Sequence, residues 1–258
     1  MRLIRIIPSL LITDNYLVKG EKFSNHKYIG DVYNAVKIFS EKNSHEIILL
    51  DINATNKNLP VNIELIKKIK NEIFVPLTVG GGIKNIDQVS TLINEGVEKV
   101  CLNTILKYNI NIISIIAKKF GSQSVVASID VKKENTEYVV YFNNGKIKSD
   151  LKLTEYLKIL ENEGAGEIIL TSIDKEGSRS GFDIKLYEFV KNLVNIPIIA
   201  HGGASNLISF EELFNKTFIS AAAGGSSFVY YGNRKAVLIN YPTKKEIQNL
   251  MEKYESEI

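Results

Sequence analysis

Short β-branched apolar runs alternate along this chain with longer stretches in which apolar residues recur every three or four positions. The runs cover residues 4–12, 46–52, 75–79, 99–102, 124–131, 167–173, 196–200 and 218–223. Their length and β-branching predict strands buried on both faces. Helical patterns lie between them, at 31–42, 61–72, 86–95, 110–120, 153–163, 183–193 and 210–214, and 244–254 follows the last strand. In 61–72, Ile63, Ile66 and Ile69 mark an apolar face with lysines and glutamates opposite. Pro76 and Pro197 fall at strand starts, where no ladder donor is needed. Eight strand-then-helix units predict an α/β fold, a (β/α)8 TIM barrel forming one domain over 1–258. An open doubly wound sheet is the competing arrangement.

One stretch departs from the alternation. "TEYVVYFNNGKIKSD" (136–150) sets an Asn-Gly turn between two alternating segments, which predicts a β-hairpin inserted after the fifth strand. The two halves of the chain also resemble each other. "LTVGGGIKN" answers "IIAHGGASN", and "LLDINAT" answers "TSIDKEG", at a spacing of about 120 residues. This repeat predicts two (β/α)4 half-barrels. It places "IIPSLLITD" over "VVASIDVKK", so that Leu11 answers Asp130.

Composition narrows the function classes. Of the 258 residues, 45% are hydrophobic, enough for a large core. A net charge of +3 with no dense Lys/Arg block argues against nucleic acid as a partner. The lone Cys101 excludes an intrachain disulfide and a cysteine metal cluster, and makes a reducing cytoplasm the simplest location. No stretch approaches the ~20 apolar residues of a membrane span. The N-terminal run carries Pro8 and lacks a signal-peptide cleavage site.

In a barrel of this kind, chemistry sits at the C-terminal ends of the strands. Two glycine turns fall there, Gly80–Gly82 and Gly202–Gly203. Each has a companion after the next strand, Asn103-Thr104 and Gly224-Gly225-Ser226. They are either sterically tight turns or cradles for phosphate oxygens, and a symmetric pair suggests a ligand with a phosphate at each end. Asp130 could exchange protons or form a local ion pair. Asp51 and Asp174 could equally organise loops. Lys19, expected on the long loop after the first strand, could close over an anion or simply be solvated. His26, His45 and His201 show no metal-ligand spacing, and no metal or cofactor is expected. Only His201 lies near the candidate site, where a non-catalytic role is the plainer reading. At the opposite end, Arg5, Glu46, Lys99 and Glu167 stand at or near the starts of four strands. From spacing alone they read as surface salt bridges rather than a plug on the barrel axis.

Together "RIIPSL", "TVGGGI", "GSQSVVASIDVKK", "GAGEIILTSID" and "KEGSRSG" resemble the HisF family, the cyclase subunit of imidazole glycerol phosphate synthase. The resemblance covers nearly the whole chain. It implies a barrel that binds a bis-phosphorylated substrate and receives ammonia from a HisH-like glutaminase docked at its bottom. It further implies a charged ammonia gate at Arg5, Glu46, Lys99 and Glu167. Ligand contacts are implied at Lys19, Gly82, Asn103, Thr104, Gly177, Gly203, Gly224, Gly225 and Ser226. The family uses two catalytic aspartates. Asp130 matches one, but the other position is Leu11, which can neither give nor take a proton. Asp14, three residues on, would point elsewhere.

"PSLLI" and the C-terminal "AVLINYP" resemble a divergent branch, the glycosyl amidation-associated (WbuZ-type) proteins. That resemblance implies an ammonia-delivering subunit for amidation of a nucleotide-sugar N-acetyl group in surface polysaccharide synthesis, with a sugar amidotransferase as further partner. The alternative is a working histidine-pathway cyclase. A phosphometabolite-binding barrel with no transfer role would leave the charged gate unexplained.

Overall fold

A computed structural model of the chain describes residues 4–217, 219–232 and 234–256. The strands are β1 (Arg5–Thr13), β2 (Tyr16–Glu21), β3 (Ser24–Asp31), β4 (Ile47–Asp51), β5 (Leu77–Gly80), β6 (Lys99–Leu102), β7 (Val125–Glu134), β8 (Glu137–Phe142), β9 (Ile147–Lys152), β10 (Glu167–Ser172), β11 (Ile198–His201) and β12 (Ala221–Gly224). Eight of them pair in parallel in the order β10-β11-β12-β1-β4-β5-β6-β7, and β7 pairs back with β10, closing a barrel. Helices stand between the barrel strands: α1 (Val32–Glu41), α2 (Ala54–Lys57), α3 (Ile63–Lys70), α4 (Ile86–Asn94), α5 (Ile112–Phe120), α6 (Leu153–Asn162), α7 (Ile184–Val190) and α8 (Leu207–Thr217). This is the (β/α)8 architecture that the alternation of patterns predicts. Phe218, the expected first residue of the last strand, lies outside the described residues.

Helix starts follow from local chemistry. Asp31, Asn62, Asn85 and Asp183 each accept a backbone N–H from the first turn of α1, α3, α4 and α7. On α3, Ile66 and Ile69 are fully buried, and Ile63 packs against the same core. Pro76 and Pro197 stand just before β5 and β11 and serve as acceptors, for the Ile47 and Ile168 amides.

Residues 16–31 correct the expectation of a long loop. They form β2 and β3, paired with each other and continuing antiparallel from β1, with Leu11 opposite Val18. The reason is a tight turn at Asp14 and Asn15, both at positive φ (51° and 68°), which folds the chain straight back. Of residues 136–150, 137–142 form β8 and 147–150 lie in β9, joined by a turn at 143–146; β8 pairs antiparallel with β7, and β9 with β8.

Inside the barrel, side chains alternate in and out with period two. One inward row runs Glu167, Ile169, Thr171 and another Val126, Ser128, Asp130. Ile7, Ile48, Cys101, Val126, Ile169, Ile199, Ala221 and Ala223 form a separate apolar cluster at mid-height. It fills the interior between a charged lower end and a polar upper end.

Candidate functional site

At the strands' C-terminal ends a cavity of about 360 Å³ opens, lined by Leu11, Asp51, Gly81, Gly82, Asn103, Thr104, Ser128, Asp130, Thr171, Glu176 and His201 among others. Asp130 projects inward from β7 and is buried. Asn103 Nδ2 donates to its Oδ2 at 3.0 Å and to the Ser128 carbonyl at 3.1 Å. Burial pushes the Asp130 carboxyl up to about 7, against the opposing hydrogen bonds from Asn103 and Thr171. A carboxyl tuned to that range exchanges protons readily at neutral pH.

Leu11 occupies the facing position. In the ring of eight strands β1 stands four places from β7, diametrically across the barrel. Leu11 is 6% exposed and in register with Leu50 on β4 and Val18 on β2. Asp14 does not stand in for it. Its carboxylate is on the exposed turn, 2.5 Å from Lys57 Nζ.

Lys19 differs from its expected place on a flexible loop. It lies within β2, is 5% exposed, and forms an ion pair with Glu176, which is 1% exposed. Burial pushes the Glu176 carboxyl up, but the Lys19 ammonium outweighs this and holds it below its ordinary value. This pair sits in a tight recess lined by Gly177, Gly203, Gly224, Gly225 and Ser226, with only about 10 Å³ of free space. The two phosphate half-sites expected from the repeat are therefore unequal: Gly82, Asn103 and Thr104 line the open cavity, and the other set encloses Lys19. Gly203 has φ +99°, and a Cβ there would lie 2.2 Å from the Gly181 carbonyl, so chain packing alone already demands a glycine.

The other candidates separate. Asp51 Oδ1 accepts the Asn53 and Ala54 amides at 3.0 Å each, and Asp174 accepts the Lys133 amide at 2.8 Å, so both organise loops. His45 is far from the cavity, accepting the Ile6 amide through Nδ1 at 3.0 Å. His26 lines the cavity rim. Thr171, Glu176 and Ser128 were not singled out in the sequence. Counting inward in twos from Glu167 reaches Thr171, and that signal was available.

At the lower end the four charged residues meet. Arg5 bridges Glu46 (3.1 Å) and Glu167 (2.6 Å), and Lys99 bridges the same two carboxylates at 2.9 and 2.8 Å. Thr78 Oγ1 donates to the remaining Glu46 oxygen at 2.6 Å. The surface-bridge reading drawn from spacing is corrected, because Glu46 is almost wholly buried and the four groups close a ring.

The model of one family, described as "Histidine biosynthesis protein", matches residues 5–235. The chain belongs to the histidine biosynthesis protein family. Within that family it is 45% identical over 239 residues to a Pseudomonas aeruginosa protein provisionally named imidazole glycerol phosphate synthase subunit hisF2, covering 92% of this chain and 95% of the relative. A Vibrio vulnificus protein, provisionally named subunit hisF3, is 39% identical over 96% of both chains. The HisF subunit of Hydrogenobaculum sp. is 42% identical over 87% of this chain and 89% of its own. The matched residues of the histidine biosynthesis family thus include every strand of the barrel, the ring and the cavity. Among the described residues no helix is long and apolar enough to cross a membrane.

Proposed function

We propose that this chain is a HisF-type barrel subunit, a cyclase of the imidazole glycerol phosphate synthase class that receives ammonia from a glutaminase. The observation that carries the reading is one chain with a closed charged ring below, an apolar interior between, and a cavity above with Asp130 tuned near neutrality. Ammonia released beneath the barrel enters when the ring opens. The apolar interior passes the neutral molecule and rejects ammonium, whose desolvation is costly. In the cavity, Asp130 moves the proton while Asn103 orients its carboxyl. Gly82, Asn103 and Thr104 hold one phosphate of the substrate, and Lys19 with the recess of Gly177, Gly203, Gly224, Gly225 and Ser226 receives the other once it separates from Glu176.

The test supplies purified protein with ammonium and the bis-phosphorylated cyclase substrate, and asks whether a glutaminase-like chain co-purifies. Turnover with a bound glutaminase supports the reading. A protein that neither turns over nor binds a glutaminase refutes it.

A second reading is favoured by Leu11. With one of two acid–base carboxylates replaced by hydrocarbon, the barrel serves as an ammonia-delivering subunit. The acceptor is then the N-acetyl group of a nucleotide sugar, modified by a separate sugar amidotransferase in surface polysaccharide synthesis. Glutaminase binding without cyclase turnover, together with co-purification of the amidotransferase, distinguishes it from the first.

A further inference from the structure

The strand register aligns three polar side chains at one level of the barrel. Asp130 on β7 pairs with Thr171 on β10, and Thr171 pairs with His201 on β11. All three are buried and line the cavity. Thr171 Oγ1 lies 3.0 Å from His201 Nδ1, and its place beside Asp130 across the β7–β10 register lets its hydroxyl favour the ionised carboxyl. Tyr187 fixes the backbone beneath: its hydroxyl accepts the His201 amide at 2.9 Å and donates to the His201 carbonyl at 2.7 Å.

We propose that Asp130, Thr171 and His201 form a proton relay, in which the Thr171 hydroxyl couples the protonation of Asp130 to the tautomer of the His201 ring. A hydroxyl has one proton to donate. When Asp130 is ionised, Thr171 donates to the carboxylate and accepts from Nδ1–H, which leaves Nε2 a bare acceptor. When Asp130 is protonated it donates to Thr171, Thr171 donates to Nδ1, and the ring proton sits on Nε2. Transfer follows directly. Asp130 gives its proton to Oγ1, Thr171 passes its own to Nδ1, and Nε2 releases one to a basic atom of the ligand. One proton leaves Asp130 and one reaches the ligand, and the imidazole is neutral before and after.

The surroundings suit this. Burial, with Lys19 nearby, pushes His201 down to about 4, so the ring stays neutral while Asp130 titrates. The other titratable groups around the row are engaged or silent. Lys19 and Glu176 are paired with each other, and burial pushes the Cys101 thiol up to about 12. Tyr156 lies behind Asp130 with its hydroxyl also pushed up, and His26 is pushed down. Across the barrel Leu11 offers no proton, so a second exchange site must come from the Asp130 side. The relay rests on the reading of this cavity as a HisF-type site, but its physical coupling can be tested without substrate.

The experiment is 15N NMR of the full chain labelled at the histidine rings, with His26 and His45 assigned through His26→Asn and His45→Asn. On raising pH through the Asp130 midpoint, the His201 proton should move from Nε2 to Nδ1. The switch should vanish in Asp130→Asn and in Thr171→Val, and persist in Thr171→Ser. A tautomer that is the same on both sides of the midpoint, or a switch that survives Thr171→Val, overturns the relay. If cyclase turnover is present, Thr171→Val should lower kcat at least tenfold with KM unchanged, and Thr171→Ser should restore it. Turnover with an uncoupled ring sinks the relay alone. A coupled ring in a protein without turnover supports the relay and counts only against the cyclase reading.

Discussion

Asp130 should cost the protein stability, and the cost should depend on pH. Its carboxyl is raised from 3.8 to about 7 in the folded chain by burial, so the folded state holds a proton that the unfolded state has released. Between those values the folded protein binds more protons, and stability falls as pH rises. At about 1.4 kcal/mol per pH unit, the shift amounts to ~4 kcal/mol lost by pH 8. Asp130→Asn cannot ionise, and its side-chain oxygen can still accept from Asn103. The variant should therefore match the wild type near pH 4 and exceed it by ~4 kcal/mol at pH 8. Urea denaturation of both proteins across pH 4–9, with m-values compared to confirm like transitions, measures this directly. Equal stability at pH 8, or a gap that does not change with pH, would refute the account of Asp130 as a buried carboxyl held against its own solvation.

Other outcomes follow from the same geometry. Leu11→Asp places a second carboxyl across from Asp130 at the loss of a buried leucine; it should lower stability by ~2–3 kcal/mol in denaturant melts and raise ammonium-dependent cyclase turnover if the rest of that site is intact. Lys99→Met leaves Glu46 and Glu167 sharing only Arg5; it should destabilise by ~2–4 kcal/mol and alter glutamine-dependent but not ammonium-dependent activity of the assembled enzyme. Lys19→Met strands Glu176 in a buried recess and should cost ~3–5 kcal/mol at pH 7, less in acid where the lone carboxyl protonates, as thermal melts at pH 7 and 4.5 would show. Gly81→Ala forces a Cβ to 2.1 Å from the Asp51 carbonyl at φ +101° and should lower Tm by several degrees or prevent folding, whatever the ligand.

Much of the barrel was legible because it rests on local periodicity. The β-branched runs and the amphipathic faces of helices such as α3 repeat within a few residues, and their caps are adjacent in sequence. The half-barrel repeat by itself sets Leu11 opposite Asp130. Residues 16–31 were not legible as strands, since β3 is mostly exposed and "SNHKYIGD" carries little alternation. The Lys19–Glu176 pair was hidden for another reason: its partners are 157 positions apart, and only closure of the barrel brings them together. The same applies to Thr171 and His201, whose contact depends on the register of two strands.

The inward rows have a consequence for how such a barrel can change. On β10 Glu167 of the charged ring and Thr171 of the cavity lining stand four positions apart on one side of one strand. Deleting or inserting a single residue between them would turn one of the two outward into the helical shell. The lower ring and the upper cavity therefore depend together on the strand keeping its length. A leucine at the top of β1 is compatible with an intact ring below, whereas the spacing between the two ends stays fixed for as long as both are in use.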